Sequence, residues 1–111
     1  MHGKHAPSIN DIKQKINEFA SGDIPSEPDL FCAQIYNDTL STILQQYKTT
    51  QDQLHAMNLF IAWLSTPIEA AYHNNSIAYP FLEADYLYPL VEWSESLASE
   101  IYAASQCAKS A

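Results

Sequence analysis

Two pairs of side chains in this sequence have the spacing of metal ligands. Asp52 precedes His55 by three residues and Glu69 precedes His73 by four, so the members of each pair lie one helical turn apart. His55 and Glu69, however, are separated by about 21 Å along a helix that rises ~1.5 Å per residue. The two pairs cannot share one ion unless the chain folds back between them. We therefore expect no metal and no cofactor.

The chain contains two cysteines, Cys32 and Cys107, which could act as nucleophiles only as thiolates. Neither lies in a basic cluster of the sequence that would lower its pKa. The chain also has no glycine-rich loop and no arginine to hold a phosphate. We therefore expect a protein that is not an enzyme and carries two free thiols. A disulfide that ties the last helix to the bundle is the alternative.

Acidic residues strongly outnumber basic ones. The 13 aspartates and glutamates face five lysines and no arginine, which gives a net charge of −8. This charge repels nucleic-acid phosphates and anionic lipids, so we expect no direct binding to nucleic acid or membrane. A basic protein partner fits the sign better. No stretch reaches the roughly 18–20 apolar residues of a membrane span and no signal peptide is visible, so we expect a cytoplasmic protein.

The segment from Tyr79 to Trp93 is rich in both aromatic and acidic residues. Tyrosine and tryptophan provide large, stiff contact areas with a polar tip, and carboxylates beside them steer a basic partner. From Gln51 to Ala108 the chain has seven acids and no lysine or arginine to neutralise them. The alternative is that some of these aromatic side chains complete the core. We predict a partner-binding surface that consists of Tyr79, Glu83, Asp85, Tyr86, Tyr88, Glu92, Trp93 and Glu95.

Within this segment, the residues from Asp85 to Pro89 read Asp-Tyr-Leu-Tyr-Pro. Ahead of the last helix of a small acidic chain, they resemble the tyrosine-containing short helix of nuclease-colicin immunity proteins. Those proteins block a toxin with acids and paired tyrosines. In this chain Leu87 separates the two tyrosines and the likeness covers five residues, so it does not assign the chain to that family.

The stretch from Asp52 to His73 predicts the helix around which the others pack. A second apolar stripe runs beside the main one, so we expect a central helix with Ile61 and Trp63 in the core. Pro67 lies inside this helix and predicts a kink or a one-residue break. The main stripe follows alternating spacings of three and four residues, through Leu54, Met57, Ile61, Leu64, Ile68 and Ala71.

Capping residues and prolines divide the remainder of the chain into helices. Ser8 and Gly22 predict the two ends of the first helix, and Ser26 and Thr50 predict the starts of the next two. Pro89 predicts the start of a last long helix, with a short helical segment before it over residues 80–87. The sequence therefore predicts an all-α fold, a small antiparallel bundle of four main helices. Residues 1–7 are expected to form a flexible tail and residues 8–111 a single domain.

These observations lead to one functional hypothesis and two alternatives. The hypothesis is an acidic, non-enzymatic protein-binding module that inhibits a partner by occupying its basic, nucleic-acid-handling surface. Immunity proteins, antitoxins and phage anti-defence proteins share this physical description. The alternatives are a bundle with a small-molecule or metal site between its helices, and a structural subunit that buries its apolar excess in a homodimer.

Overall fold

The computed structural model describes residues 8–110, and the side chains of residues 8–107. The elements in order are α1 (Ile9–Ala20), α2 (Pro28–Gln46), α3 (Thr50–His73), the single turn α4 (Ala78–Pro80), the π-helix π1 (Phe81–Leu87) and α5 (Tyr88–Ser110). Residues 8–110 contain no strand, so the predicted all-α bundle with four main helices is confirmed. The predicted tail, residues 1–7, lies outside the described residues.

The two ends of α1 follow directly from its sequence. The Asp11 backbone N–H donates to the Ser8 hydroxyl with an N···O distance of 3.1 Å, and the Asp11 carboxylate accepts from the Ser8 N–H at 3.4 Å. Beyond the other end, Gly22 has a positive φ of 113°, which glycine adopts without a steric penalty. The start and the end predicted from Ser8 and Gly22 are thus confirmed.

The starts of α2 and α3 differ from the prediction by one residue each. Glu27 rather than Ser26 precedes α2, because Pro28 occupies the first helical position and forces the residue before it out of the helical region. Thr49 rather than Thr50 caps α3, since its hydroxyl accepts a hydrogen bond from the Asp52 N–H at 3.1 Å. Thr49 and Thr50 have the same capping hydroxyl, and the backbone conformation decides which of them precedes the helix.

Helix α3 continues through Pro67 without a break. Proline has no N–H, so the carbonyl of Trp63, four residues earlier, lacks its helical partner. Leu64 and Ile68, on either side of the proline, are both buried. Of the predicted kink or break, the break is wrong, since the helix is unbroken and its two halves pack on the same core.

The chain also stays helical from α4 to α5, although Pro80 and Pro89 predicted boundaries there. Pro80 lies in the first turn, where its missing N–H costs no hydrogen bond. Before Pro89 the helix widens into π1, where the Tyr88 N–H donates to the Glu83 carbonyl five residues back. In a regular α-helix the ring of Pro89 would collide with the Asp85 carbonyl, and the wider turn lies directly before this point.

Helix α3 contacts every other helical element, as expected of a central helix. It packs antiparallel to α5, because Thr50 at its start lies beside Ala104. Glu69, near the end of α3, lies beside Leu87, just before the start of α5. The helices α2 and α3, joined by three residues, also contact each other.

The expectation that Ile61 and Trp63 lie in the core is wrong in part. Both are partly buried and pack against the edge of the core, and Lys13 Nζ lies 4.9 Å from the centre of the Trp63 ring. The core-facing side of α3 lies between the two predicted stripes and therefore includes residues of both. The buried apolar residues of α3 other than proline are Met57, Phe60, Leu64, Ile68 and Ala71.

Tyr86, on π1, is the largest side chain in the core and is 0% exposed. Its hydroxyl lies 2.6 Å from Thr39 Oγ1, and the Thr39 hydroxyl in turn donates to the Ile35 carbonyl at 2.6 Å. Because the single Thr39 proton is used there, the Tyr86 hydroxyl is the donor to Thr39. The ring of Phe60 meets the Tyr86 ring edge-on, with centroids 6.4 Å apart. Tyr86 thus connects π1 to α2 and α3.

We predict that Tyr86→Phe lowers the free energy of unfolding by about 1 kcal/mol, because it removes a buried hydrogen bond and leaves the ring in place. The matched control is Tyr88→Phe, two residues later, where the side chain is 53% exposed and the expected change is within about 0.5 kcal/mol. Chemical denaturation of both variants measures the difference. Equal losses in the two variants would contradict the assignment of Tyr86 to the core.

Cys32, on α2, is buried and weakly hydrogen-bonded to the Phe81 carbonyl, with an S···O distance of 3.6 Å. Burial, and to a smaller extent the charges of Asp85 and Asp29, together raise the pKa of the Cys32 thiol from 9.0 to about 12. The thiol is therefore protonated at neutral pH and is not a nucleophile.

We predict that the stability of the protein falls as the pH rises above the ordinary thiol pKa of 9.0. In that range the unfolded chain loses the Cys32 proton while the folded protein keeps it, which costs up to about 1.4 kcal/mol per pH unit until the folded pKa is reached. Below this range the contribution is fully present. Denaturation of Cys32→Ala should show a flatter pH dependence, whereas Cys107→Ala, which changes an exposed thiol, should follow the wild type.

Candidate functional site

An open groove lies between the C-terminal half of α3 and the helical run from α4 to the start of α5. We name it the tyrosine groove. Its volume is about 430 Å³. Both walls contribute apolar, tyrosine and carboxylate side chains, so that the groove combines the three types of group that the sequence predicted for a recognition surface. Its lining consists of Ile61, Ser65, Ile68, Glu69, Tyr72, Tyr79, Glu83, Leu87 and Val91.

A pair of tyrosines joins the two walls of the groove. The ring centroids of Tyr72 and Tyr79 are 5.1 Å apart, with an angle of 57° between the ring planes. The Tyr79 hydroxyl donates to Glu83 Oε2 at 2.8 Å. On the other wall, Glu69 precedes Tyr72 by one helical turn and therefore lies on the same side of α3. The tyrosine pair thus has a carboxylate on each side.

The hydrogen bond to Glu83 raises the pKa of Tyr79 above its ordinary value of 10.0. Partial burial and the charge of Glu83 act in the same direction, because both disfavour a phenolate beside a carboxylate. Tyr79 is therefore a neutral hydrogen-bond donor throughout the physiological range. Its bond holds one oxygen of Glu83 and leaves the other oxygen available to a partner.

The floor of the groove is aliphatic. Ile61 and Ile68 contribute from α3, and Leu87 and Val91 from the opposite wall. Ile68 is buried, whereas the other three are partly buried and so retain accessible surface. An apolar floor of this kind gains free energy when a partner covers it, because water leaves its surface.

Of the eight predicted contact residues, the structure brings Tyr79 and Glu83 into this groove. Tyr88 lies next to it, 53% exposed, and is near enough to Tyr79 to influence the pKa of that residue. Tyr86 requires a correction. It is fully buried on the opposite side of the run and cannot contact a partner while the protein is folded. Tyr86 and Tyr88 are two residues apart, so their side chains leave the helix on nearly opposite sides, Tyr86 toward the core and Tyr88 toward solvent.

The remaining predicted residues lie outside the groove. Asp85 is exposed on the side that faces α2, where its charge acts on Cys32. Trp93 is partly buried and packs against the core. Glu92 and Glu95 are exposed and follow Tyr88 by four and seven residues, so the three form one exposed row along α5. The segment from Tyr79 to Trp93 therefore has an inner face and two outer faces rather than a single binding face.

The sequence prediction missed the contribution of α3 to this surface. Tyr72, 59% exposed, and Glu69 form one wall of the groove, whereas the sequence pattern indicated Glu69 only as a candidate metal ligand. The available signal was the pairing of an acid and a tyrosine three residues apart within the stretch from Gln51 to Ala108, which has no lysine. Nothing local indicated that Tyr79 would meet them, because that contact depends on how α3 and α4 pack.

The candidate metal ligands are not brought together among residues 8–107. No group of three His, Cys, Asp or Glu side chains within the described part of the chain lies close enough to hold an ion. The ring of His73 packs against Tyr72, with centroids 5.5 Å apart. Both cysteines are free, Cys32 buried and Cys107 exposed, so the alternative of a disulfide between them is wrong.

Comparison with protein-family models, curated proteins and solved structures finds no match to this chain. Among the described helices, none is long and apolar enough to cross a membrane.

We predict that Glu83→Gln lowers the pKa of Tyr79 toward 10.0, because the substitution removes the carboxylate charge that opposes ionisation of the phenol. Carbon NMR of ring-labelled tyrosine over alkaline pH measures this change. Glu95→Gln, an exposed glutamate on α5, is the control and should leave the Tyr79 titration unchanged. A pKa of Tyr79 that is the same in wild type and Glu83→Gln would mean that the hydrogen bond across one turn of helix is absent in solution.

Proposed function

We propose that this protein is an acidic, non-enzymatic protein-binding module. Its contact surface comprises the tyrosine groove and the adjacent exposed row of Tyr88, Glu92 and Glu95. The observation that carries the proposal is the composition of the groove, which has an aliphatic floor, a tyrosine pair and a carboxylate on each side of that pair. Apolar and aromatic area supplies affinity in protein interfaces, whereas carboxylates supply steering and selection.

The charge distribution supports a basic partner. The walls of the groove belong to the stretch from Gln51 to Ala108, which has seven acids and neither lysine nor arginine. A surface of this sign attracts lysine- and arginine-rich proteins from a distance and repels nucleic acid. The partner in this proposal therefore presents a basic surface of the kind that handles nucleic acid, and the protein acts by covering it.

In its most concrete form the proposal is an inhibitor, such as an immunity, antitoxin or phage anti-defence protein, that acts in the cytoplasm. Two free cysteines fit a reducing compartment. A small acidic bundle needs no active site for this role. It needs a stable scaffold that holds tyrosines and carboxylates outward, and the rigid packing of π1 against α2 supplies that scaffold.

A second candidate is a structural homodimer. Tyr47 and Leu59 remain exposed beside a small cleft formed with Ile9, on the side where α1, α2 and α3 meet. Association of two copies through this face would cover them. Sedimentation of the purified protein distinguishes the two candidates, since a stable dimer at micromolar concentration is required by the second and not by the first.

We predict that Tyr88→Ala accelerates dissociation from the purified basic partner and weakens binding by about 2 kcal/mol, as truncation of a central interface tyrosine does. The partner is obtained by affinity capture from cells that express the protein and is then purified for kinetic measurements. The matched control is Tyr102→Ala, which changes another tyrosine of α5 that is 66% exposed and lies outside the groove. Thermal melts should show that both variants remain folded.

The double variant Glu92→Gln, Glu95→Gln should act differently from Tyr88→Ala. It should slow association and flatten the salt dependence, with little change in dissociation, because these carboxylates act at long range. Glu100→Gln is the charge control. If Tyr88→Ala and the double variant both bind as the wild type does at low salt, the proposed surface is not the binding site.

A further inference from the structure

We infer that the tyrosine groove receives an arginine side chain of the partner, whose aliphatic stem covers the floor while its guanidinium lies at the Tyr72–Tyr79 pair between Glu69 and Glu83. This inference rests on the proposed function and names the group that the groove binds.

The aliphatic floor of the groove and the two carboxylates beside the tyrosine pair favour different chemical groups. The aliphatic side chains of Ile61, Leu87 and Val91 favour an apolar group, whereas Glu69 and Glu83 favour a cation. A purely apolar side chain would cover the floor but would also desolvate the carboxylates without a partner, at a cost in free energy. Lysine and arginine meet both demands, because each combines a hydrocarbon stem with a charged end.

Among residues 8–107, no lysine or arginine lines the groove. Between Gln51 and Ala108 there is no lysine or arginine, and among the side chains of residues 8–107 the one polar contact of Glu83 is its hydrogen bond from Tyr79. Glu69 is exposed and makes no hydrogen bond or ion pair in the same range. The two carboxylates therefore have no lysine or arginine of residues 8–107 beside them, and a basic partner can supply one.

The tyrosine pair favours arginine over lysine. A planar guanidinium stacks on aromatic faces and donates several N–H groups in a fork that matches a carboxylate, whereas an ammonium is a compact and strongly hydrated charge. Tyr72 offers a ring face at the groove, since it is 59% exposed, and Glu83 keeps one oxygen that Tyr79 does not use. A guanidinium at this place can contact the ring and a carboxylate at the same time.

Three small probes of similar length test the inference without the partner: n-butylguanidinium, n-butylammonium and n-pentanol. Titration at millimolar concentration, followed by amide NMR, should move the signals of residues that line the groove. Butylguanidinium should bind most tightly and butylammonium roughly threefold more weakly, and pentanol should be weaker still. Glu69→Gln and Glu83→Gln should each weaken butylguanidinium binding by roughly threefold, the scale of an exposed ion pair.

Two further variants separate the groove from general charge. Val91→Thr places a hydroxyl on the floor at nearly unchanged volume, and it should weaken all three probes. Glu100→Gln removes an exposed acid of α5 that does not line the groove, and it should change none of them. Signal changes spread over all acidic residues, or equal binding of pentanol and butylguanidinium, would overturn the inference. Equal binding of the two cations would overturn the preference for arginine.

The failure of this inference can be distinguished from the failure of the proposed function. If Tyr88→Ala abolishes binding of the purified partner but butylguanidinium does not bind in the groove, the module stands and the arginine contact is wrong. If butylguanidinium binds as described but does not compete with the partner, the groove binds cations and the proposed contact surface is wrong.

Discussion

The buried hydrogen bond between Tyr86 and Thr39 sets the orientation of the helical run on which the candidate site is built. With its ring against Phe60 and its hydroxyl on α2, Tyr86 cannot rotate out without losing both contacts. A helix fixed at one residue is fixed at its neighbours, so Tyr79 and Glu83 line the groove and Tyr88 faces outward. The contacts of Tyr86 therefore contribute to the stability of the core and also determine the geometry of the groove.

The π-helix π1 contains Tyr86 and is the irregular part of this helical run. The wider turn brings Leu82 and Tyr86 into the core, both 0% exposed, and passes the helix on to Pro89 without an interruption. π-helical turns cost hydrogen-bond geometry and are found often at functional sites. In this protein, the turn is next to the groove and carries Glu83 on its outer side, so the irregular backbone directly positions one of the two carboxylates.

The distribution of charge separates the molecule into two parts. Lys13, Lys15 and Lys48 lie on α1 or in the link between α2 and α3, whereas the charged residues that line the groove are both acids, Glu69 and Glu83. One cation, Lys13, is held over the Trp63 ring and not over a carboxylate. Acids that no internal cation neutralises repel one another and lower stability slightly, and a surface that keeps them accessible beside apolar area is suited to an external basic group.

The sequence by itself determined the helical class, the capping of α1, the central place of α3 and the sign of the surface, because these depend on local spacing and composition. It could not decide that Tyr86 lies in the core while Tyr88 is exposed, since both lie in the same apolar and acidic pattern and differ by about half a turn of the helix. Nor could it pair Tyr72 with Tyr79, or place Glu69 on the wall opposite Leu87. Those relations join residues from different helices, and only the packing of α3 against the run from α4 to α5 brings them together.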